Sequence, residues 1–272
     1  MGSEPRDSKG SPSGWGHFTL LDRIGAGATG EVWRAWDSLL HRDVAVKFLV
    51  GDDGGIASTP LLEEARSLAR VQHSNIATVY GIAEMDGRAG LWMELLKGPT
   101  LAAEISRRGA LPWPELARIG IQIAAALEAL AHAELVHRDV KPANVILEPG
   151  GRAVLADFGL GRRSRADRDE APLQGTPVFM SPELLDGGQP THRSDLYALG
   201  ITLHWALTGQ APFRARTYEE LRLEAGPDAR PHVGRPAARA SARAGVGAPL
   251  PRVRHLPRIN ADPRGGRTCE GS

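Results

Sequence analysis

The stretch Val136-His137-Arg138-Asp139-Val140-Lys141-Pro142-Ala143-Asn144 constrains this chain more than any other. It sets an acid, a base and an amide close together between Asp139 and Asn144. Asp139 is placed to accept a proton from an attacking hydroxyl, and Lys141 can neutralise charge on a transferring phosphoryl group. Asn144 offers a side-chain oxygen to a hard cation, with Asp157 of Asp157-Phe158-Gly159 as the charged ligand. His-Arg-Asp alone reads equally well as a polar turn after a helix. The decision therefore rests on which other motifs stand around it, and in what order.

Upstream, Phe18, Leu20 and Ile24 suggest a strand running into Gly25-Ala26-Gly27-Ala28-Thr29-Gly30, with Val32 and Trp33 opening the return strand. In a dinucleotide-binding fold a helix would follow such a loop. Here residues 31–35 read as extended and lead to a third strand at 43–49. Gly25, Gly27 and Gly30 remove the Cβ atoms where backbone has to lie close to phosphates. Lys47 sits mid-strand in Val-Ala-Val-Lys, and a lysine pointing inward there demands a carboxylate or a phosphate. Thr59 and Pro60 form an N-cap and a first helical residue. Leu61, Glu64, Ala65 and Leu68 then share one helical face, so Glu64 is the expected partner of Lys47, with Glu63 as the fallback. Residues 79–82 and 91–94 read as two more strands about the turn Met85-Asp86-Gly87-Arg88. Leu116, Ile119, Ile123, Leu127 and Leu130 mark an amphipathic scaffolding helix, and 145–147 and 153–156 are short strands around Pro149-Gly150-Gly151.

Over about residues 18–225 this ordered set resembles the catalytic domain of eukaryotic-type serine/threonine protein kinases, the bacterial branch most of all. Lys141 two places after Asp139 is similar to the serine/threonine branch, and Gly175-Thr176 with Ser181-Pro182-Glu183 resembles the landmarks that close its activation segment. The resemblance implies an α+β, bilobal protein-kinase-like fold: an N-lobe at 17–93 with a five-stranded antiparallel sheet plus one helix, a hinge at 94–98, and a mainly helical C-lobe at 99–225. It implies ATP and Mg²⁺ as cofactors and γ-phosphoryl transfer to Ser or Thr of protein substrates. By the same resemblance Asp139 orients the hydroxyl, Lys47 holds the α and β phosphates, Thr176 hydrogen-bonds toward Asp139 and Lys141, and Asn144 and Asp157 bind Mg²⁺. Ile24, Val32, Ala45, Leu96 and Ile146 would wall a purine slot behind Met93, with the backbone from Glu94 to Gly98 facing adenine. Leu68, His137 and Phe158 would stack in a buried spine, and Asp195 would tie its carboxylate to the catalytic-loop backbone. Arg138 in this family normally meets a phosphate. Ser164 is the only hydroxyl residue between Gly159 and Gly175, so an acid, Glu170 first and Asp169 second, is expected to take that place beside Asp167.

Composition bounds the rest. A net charge of +1 gives no argument for a nucleic-acid partner, and no apolar run reaches the roughly 18 residues of a membrane span. One cysteine, Cys269, fits a reducing, cytoplasmic setting. Residues 1–16 are polar enough to predict a disordered leader. Of the 47 residues from 226 to 272, 31 are Ala, Arg, Gly or Pro and none is aromatic, which predicts a disordered tail after a frameshift or truncation near Glu224. The expected consequence is an incomplete, weakly stable C-lobe with Glu183 buried away from its usual arginine, Arg267 being the nearest substitute. The rival readings are a pseudokinase-like scaffold and a small-molecule kinase.

Overall fold

Period-two alternation shapes the upper half of the molecule. In the strand Arg42–Phe48, Val44, Val46 and Phe48 face one way, while Ala45, Lys47 and the following Leu49 face the other, and all six are buried. The computed structural model describes residues 14–27, 30–49, 59–158, 177–213, 215 and 217–225. All of these lie in one compact unit, residues 1–237; the second unit, 238–272, falls outside the described residues.

The upper sheet has strands β1 (Gly14–Trp15), β2 (Phe18–Gly27), β3 (Gly30–Asp37), β4 (Arg42–Phe48), β5 (Val79–Met85) and β6 (Arg88–Glu94), antiparallel in the order β1-β2-β3-β4-β6-β5. Among the described residues the expectation of five strands is thus corrected to six, and Gly14 and Trp15, expected within the leader, form a strand of the sheet; residues 1–13 lie outside the described residues. The reason is one side chain. Trp15 is only 1% exposed and packs with Phe18, Phe48 and Trp92 at ring separations of 5.5, 5.5 and 6.1 Å. Its indole N–H donates to the carbonyls of Met85 (2.9 Å) and Arg88 (3.1 Å). A two-residue strand leaves no periodic signal in a Ser/Gly-rich run, so this anchor was invisible to pattern reading. The outer face of the sheet therefore carries its own apolar cluster, while the inner face joins the main core through Ala45, Leu49 and Met93.

Helix α1 (Thr59–Leu68) lies against β5 and buries Ala65 and Leu68. Below are α2 (Leu101–Arg108), α3 (Trp113–His132), the hairpin β7 (Val145–Leu147) and β8 (Ala153–Leu155), α4 (Pro182–Leu185), α5 (His192–Thr208) and α6 (Tyr218–Ala225). The α3 stripe is as expected, with Leu116, Ile119, Ile123, Leu127 and Leu130 all buried. Two backbone connections join the halves among the described residues. The α1–β5 linker pairs with β8, with Leu155 N–H donating to the Asn75 carbonyl at 2.8 Å and Ala77 N–H to Leu155 at 3.0 Å. After β6 the chain runs so close to β7 that a Cβ added to Gly98 would lie 1.9 Å from the Leu147 carbonyl oxygen, so only glycine fits.

In α5, Leu196, Leu199, Leu203 and Leu207 recur at helical spacing, yet they do not form one buried stripe. Leu199 is buried, but Leu196 is 53% exposed and Leu207 is exposed as well; the buried face runs instead through Ser194, Asp195, Ala198, Ile201, Thr202 and Ala206. Small and polar residues carry this face because α5 packs closely on α3 and serves a polar loop. Glu183 also departs from expectation. It is exposed, so the cost expected for a buried, unpartnered glutamate does not arise. The tail, Arg267 and the supposed break in composition lie outside the described residues.

Trp15 generates a stability prediction. Trp15→Ala lowers the free energy of urea unfolding by about 3–5 kcal/mol. Leu39→Ala, at a side chain 67% exposed, changes it by less than about 0.5 kcal/mol.

Candidate active site

The loop 136–144 is held from below by one carboxylate. Thr191 and Ser194 cap the start of α5 reciprocally, Thr191 N–H donating to Ser194 Oγ at 2.9 Å and Ser194 N–H to Thr191 Oγ1 at 3.3 Å. This delivers Asp195, whose Oδ2 accepts the His137 N–H at 2.7 Å and whose Oδ1 accepts the Arg138 N–H at 2.9 Å, as expected. Arg138 is left-handed, with φ of 67°, a conformation costing on the order of 1 kcal/mol or more that the Asp195 bond helps to hold. Burial pushes the Asp195 carboxyl from its ordinary 3.8 up to about 6, the two N–H bonds recovering only part of that rise.

One step on, buried Asp139 turns Oδ2 toward two donors, Lys141 Nζ at 2.8 Å and Asn144 Nδ2 at 2.9 Å. Asn144 Nδ2 also donates to the Asp139 carbonyl at 2.8 Å. With its amino end used in this way, the amide oxygen of Asn144 is the end left for a cation. Ala156 N–H donates to the Asn144 carbonyl at 2.9 Å, which sets Asp157 beside the loop. Asp157 has φ of 55°, a second left-handed residue. Lys47 closes the cluster from above. At 2% exposure, its ammonium donates to Asp157 Oδ1 and to the Phe158 carbonyl at 3.2 Å.

That pairing corrects the expected Lys47–Glu64 bridge. Glu64 does face inward, half-buried while Glu63 is exposed, but it pairs with Arg138, Oε1 to Nη1 at 2.9 Å. Helical spacing ranks the faces of α1 but not the cations a face will meet. Asp157 already satisfies Lys47, and Arg138 presents the free charge that a partly desolvated carboxylate needs. Burial raises the Glu64 carboxyl, and Arg138 pulls back part of the rise. The described partner of Arg138 is therefore Glu64; Ser164, Asp167, Asp169, Glu170 and Thr176 lie outside the described residues.

The remaining expected positions divide. The rings of His137 and Phe158 meet at 4.7 Å, tilted by 45°, with Phe158 in the core cluster that holds Leu68. Val32, Ala45, Met93 and Leu96 belong to one apolar cluster, with Ala45 registered against Met93. Gly25 and Val32 pair across the β2–β3 hairpin, as do Gly27 and Gly30, while Ile24 is exposed and Ile146 half-buried. Pattern reading missed the polar clamp behind the hinge. The Glu94 side chain pairs with Arg152, which also binds Glu148 at 2.5 Å, and Glu148 Oε1 accepts the Lys97 N–H at 3.1 Å. It also missed Asn75, whose amide donates to Gln122 Oε1 and the Ala153 carbonyl, both at 2.8 Å. Neither set has a periodic signature.

Among the described residues no three His, Cys, Asp or Glu side chains converge as a metal site. One amide oxygen and one carboxylate are a donor set too small for a closed protein cage. They suit Mg²⁺, which keeps waters and takes further oxygens from substrate phosphates. No described helix is long and apolar enough to cross a membrane.

The profile of the protein kinase domain family matches residues 18–228. Serine/threonine-protein kinase PknK of Mycobacterium tuberculosis is 37% identical over 207 residues, 75% of this chain and 19% of the relative. PknD of the same organism is 36% identical over 217 residues, 77% of this chain and 32% of PknD. PknE is 34% identical over 207 residues, 74% of this chain and 36% of PknE. The chain thus spans about a fifth to a third of the length of these relatives. The crystal structure of Rad53 1-466 in complex with AMP-PNP shares the fold, with a TM-score of 0.65 at 23% identity over 76% of this chain and 52% of that one.

The Asp195 geometry predicts a pH dependence. Its folded pKa lies above the unfolded value, so the folded chain retains this proton in a window where the unfolded chain has lost it. The stability contributed by the group is present at low pH and is lost as pH rises through about 6. Between pH 7 and pH 4 the unfolding free energy of wild type therefore gains roughly 2 to 3 kcal/mol on that of Asp195→Asn. Parallel denaturant titrations of the two proteins check it; a difference independent of pH is the contrary result.

Proposed function

This chain belongs to the protein kinase domain family, and on that premise we propose that it transfers the γ-phosphoryl group of ATP to Ser or Thr side chains of protein substrates. The observation that carries the reading is the convergence of Asp139, Lys141, Asn144, Asp157 and Lys47 on one cleft in mutual hydrogen bonds. No other cluster among the described residues combines a buried carboxylate, two ammonium groups and a cation-ready amide.

Asp139 orients the substrate hydroxyl and takes its proton. Its Oδ2 is held by two donors, which keep the carboxylate pointed. Lys141 brings a positive charge next to the base, where negative charge gathers during transfer. Lys47 would hold the α and β phosphates, in exchange for the Asp157 carboxylate it now meets. Asn144 and Asp157 would hold Mg²⁺, which when bound neutralises phosphate charge and supplies the Lewis acidity of the reaction. Catalysis of this kind rests on positioning and charge more than on covalent chemistry. Protein substrates fit the resemblance to serine/threonine kinases, and the single cysteine fits action in the cytoplasm.

The test is incorporation of label from γ-labelled ATP, by autophosphorylation or into a generic protein acceptor, on Ser or Thr and only with Mg²⁺. Lys47→Met, Asp139→Asn and Asp157→Ala each reduce the rate by about 100-fold or more. Equal incorporation by wild type and Asp139→Asn would overturn the reading.

A further inference from the structure

The chain leaves β6 at Glu94 and passes Lys97, and both residues are tied to the turn of the β7–β8 hairpin. Arg152 is the centre of the tie. Its Nη2 meets Glu94 Oε1 and, at 2.5 Å, Glu148 Oε2; its Nε donates to the same Glu148 oxygen at 2.8 Å, and its Nη1 donates to the Ser74 carbonyl at 3.3 Å. Glu148 carries the contact back to the hinge, its Oε1 accepting the Lys97 N–H at 3.1 Å. The other Glu94 oxygen, Oε2, accepts the Thr78 N–H at 3.4 Å. One guanidinium thus joins three segments: the hinge, the hairpin turn and the linker between α1 and β5.

Charge makes Arg152 the member that this arrangement cannot lose. Glu94 and Glu148 meet the same nitrogen, which holds two like charges close together, and their side chains are only 23% and 17% exposed. Without the guanidinium they repel across a partly desolvated gap. The displacement falls on the hinge. Its upper end is pinned by the Glu94 N–H to the Thr78 carbonyl at 2.8 Å, and the chain beyond it by the Leu147 N–H to the Pro99 carbonyl at 2.9 Å. Between these pins Lys97 N–H is held by the Glu148 carboxylate, so that bond is lost when Glu148 turns away. Leu96, in the same stretch, packs with the cluster that contains Val32, Ala45 and Met93. A shift of the hinge therefore moves a wall of the purine slot together with the backbone expected to face adenine.

We infer that Arg152 is a positioning residue for nucleotide binding: through Glu94 and Glu148 it fixes the backbone of residues 94–98 in the shape that receives adenine. It sets the affinity for nucleotide and not the rate of phosphate transfer, because its partners Glu94, Glu148 and Ser74 are none of the groups assigned to that transfer. The inference rests on the protein kinase reading for ATP as the nucleotide, but binding is measured apart from transfer.

The experiment uses the full chain, with methylanthraniloyl-ADP and Mg²⁺ followed by fluorescence, and in parallel the transfer of phosphate from ATP to a generic protein acceptor. Arg152→Ala raises the Kd for the labelled nucleotide and the KM for ATP by about tenfold, while kcat stays within about twofold of wild type. Arg152→Lys recovers part of the loss, since an ammonium supplies the charge but not the planar fork that meets two carboxylates and a carbonyl. Suppression is the sharper sign. Adding Glu94→Gln to Arg152→Ala lowers the Kd again, because one of the two repelling charges is gone. Unchanged or tighter nucleotide binding by folded Arg152→Ala, a fall in kcat with KM unmoved, or a double variant no better than Arg152→Ala would each overturn the inference. If Arg152→Ala does not fold, Arg152→Lys and Glu148→Gln carry the test: each raises the Kd by about threefold, and wild-type affinity in both is the contrary result. Binding and transfer that are alike in all variants sink the clamp and keep the kinase. A Kd that depends on Arg152 in a chain that transfers no phosphate does the reverse, and a wild-type chain that binds no nucleotide overturns both.

Discussion

Asp195 is the carboxylate on which the lower half of the active site depends. It is buried where ionisation is costly, yet it accepts two successive backbone N–H groups, those of His137 and Arg138. Those groups belong to a stretch of backbone bent into the left-handed region, where no regular ladder could serve them. An apolar residue at 195 would leave both donors orphaned, and an amide could accept from them with only one oxygen. The bend directs three side chains to different duties: His137 into the core against Phe158, Arg138 toward α1, and Asp139 into the cleft.

Across the cleft, charge is balanced in pairs rather than pooled. Lys47 from the sheet meets Asp157 from the lower half, and Glu64 from α1 meets Arg138 of the catalytic loop. Both pairs therefore bridge the two halves, alongside the neutral backbone contacts of Asn75 and Ala77 with Leu155. Lys47 is the more deeply buried cation, and it meets a carboxylate and a carbonyl together. Such pairs add little net stability when intact, but each half is costly when left alone. Any ligand that enters therefore has to replace a partner as well as find one.

Much of this was legible in the residues. Glycine spacing followed by extended sequence placed the hairpin, the leucine and isoleucine stripe placed α3, and the Thr-Pro cap placed α1 with Glu64 on its inner face. Asp195 and the tilted His137–Phe158 ring contact were found where motif order put them. What escaped has a common cause. Period and propensity describe one element at a time, whereas the partner of Lys47, the Glu94–Arg152–Glu148 clamp and the Asn75 contacts arise between elements distant in sequence. Leucine spacing misleads in α5 for a related reason: leucines are a poor guide to the buried face when that face is built largely from serine, aspartate, alanine and threonine. Trp15 escaped because an aromatic residue followed by glycine, in a polar run, is a pattern too short to weigh.

The position of Trp15 changes where this domain starts as a physical object. Family similarity begins at residue 18, and a fragment cut there would look whole by alignment. It would nevertheless leave the rings of Phe18, Phe48 and Trp92 facing an empty slot, and the carbonyls of Met85 and Arg88 without their indole donor. Strand β2 would also become the outermost strand of the sheet at its first residues, with hydrogen-bonding groups open to another chain. The boundary set by packing therefore lies upstream of the boundary set by resemblance, and a recombinant domain designed on resemblance alone would tend to self-associate through that bared edge.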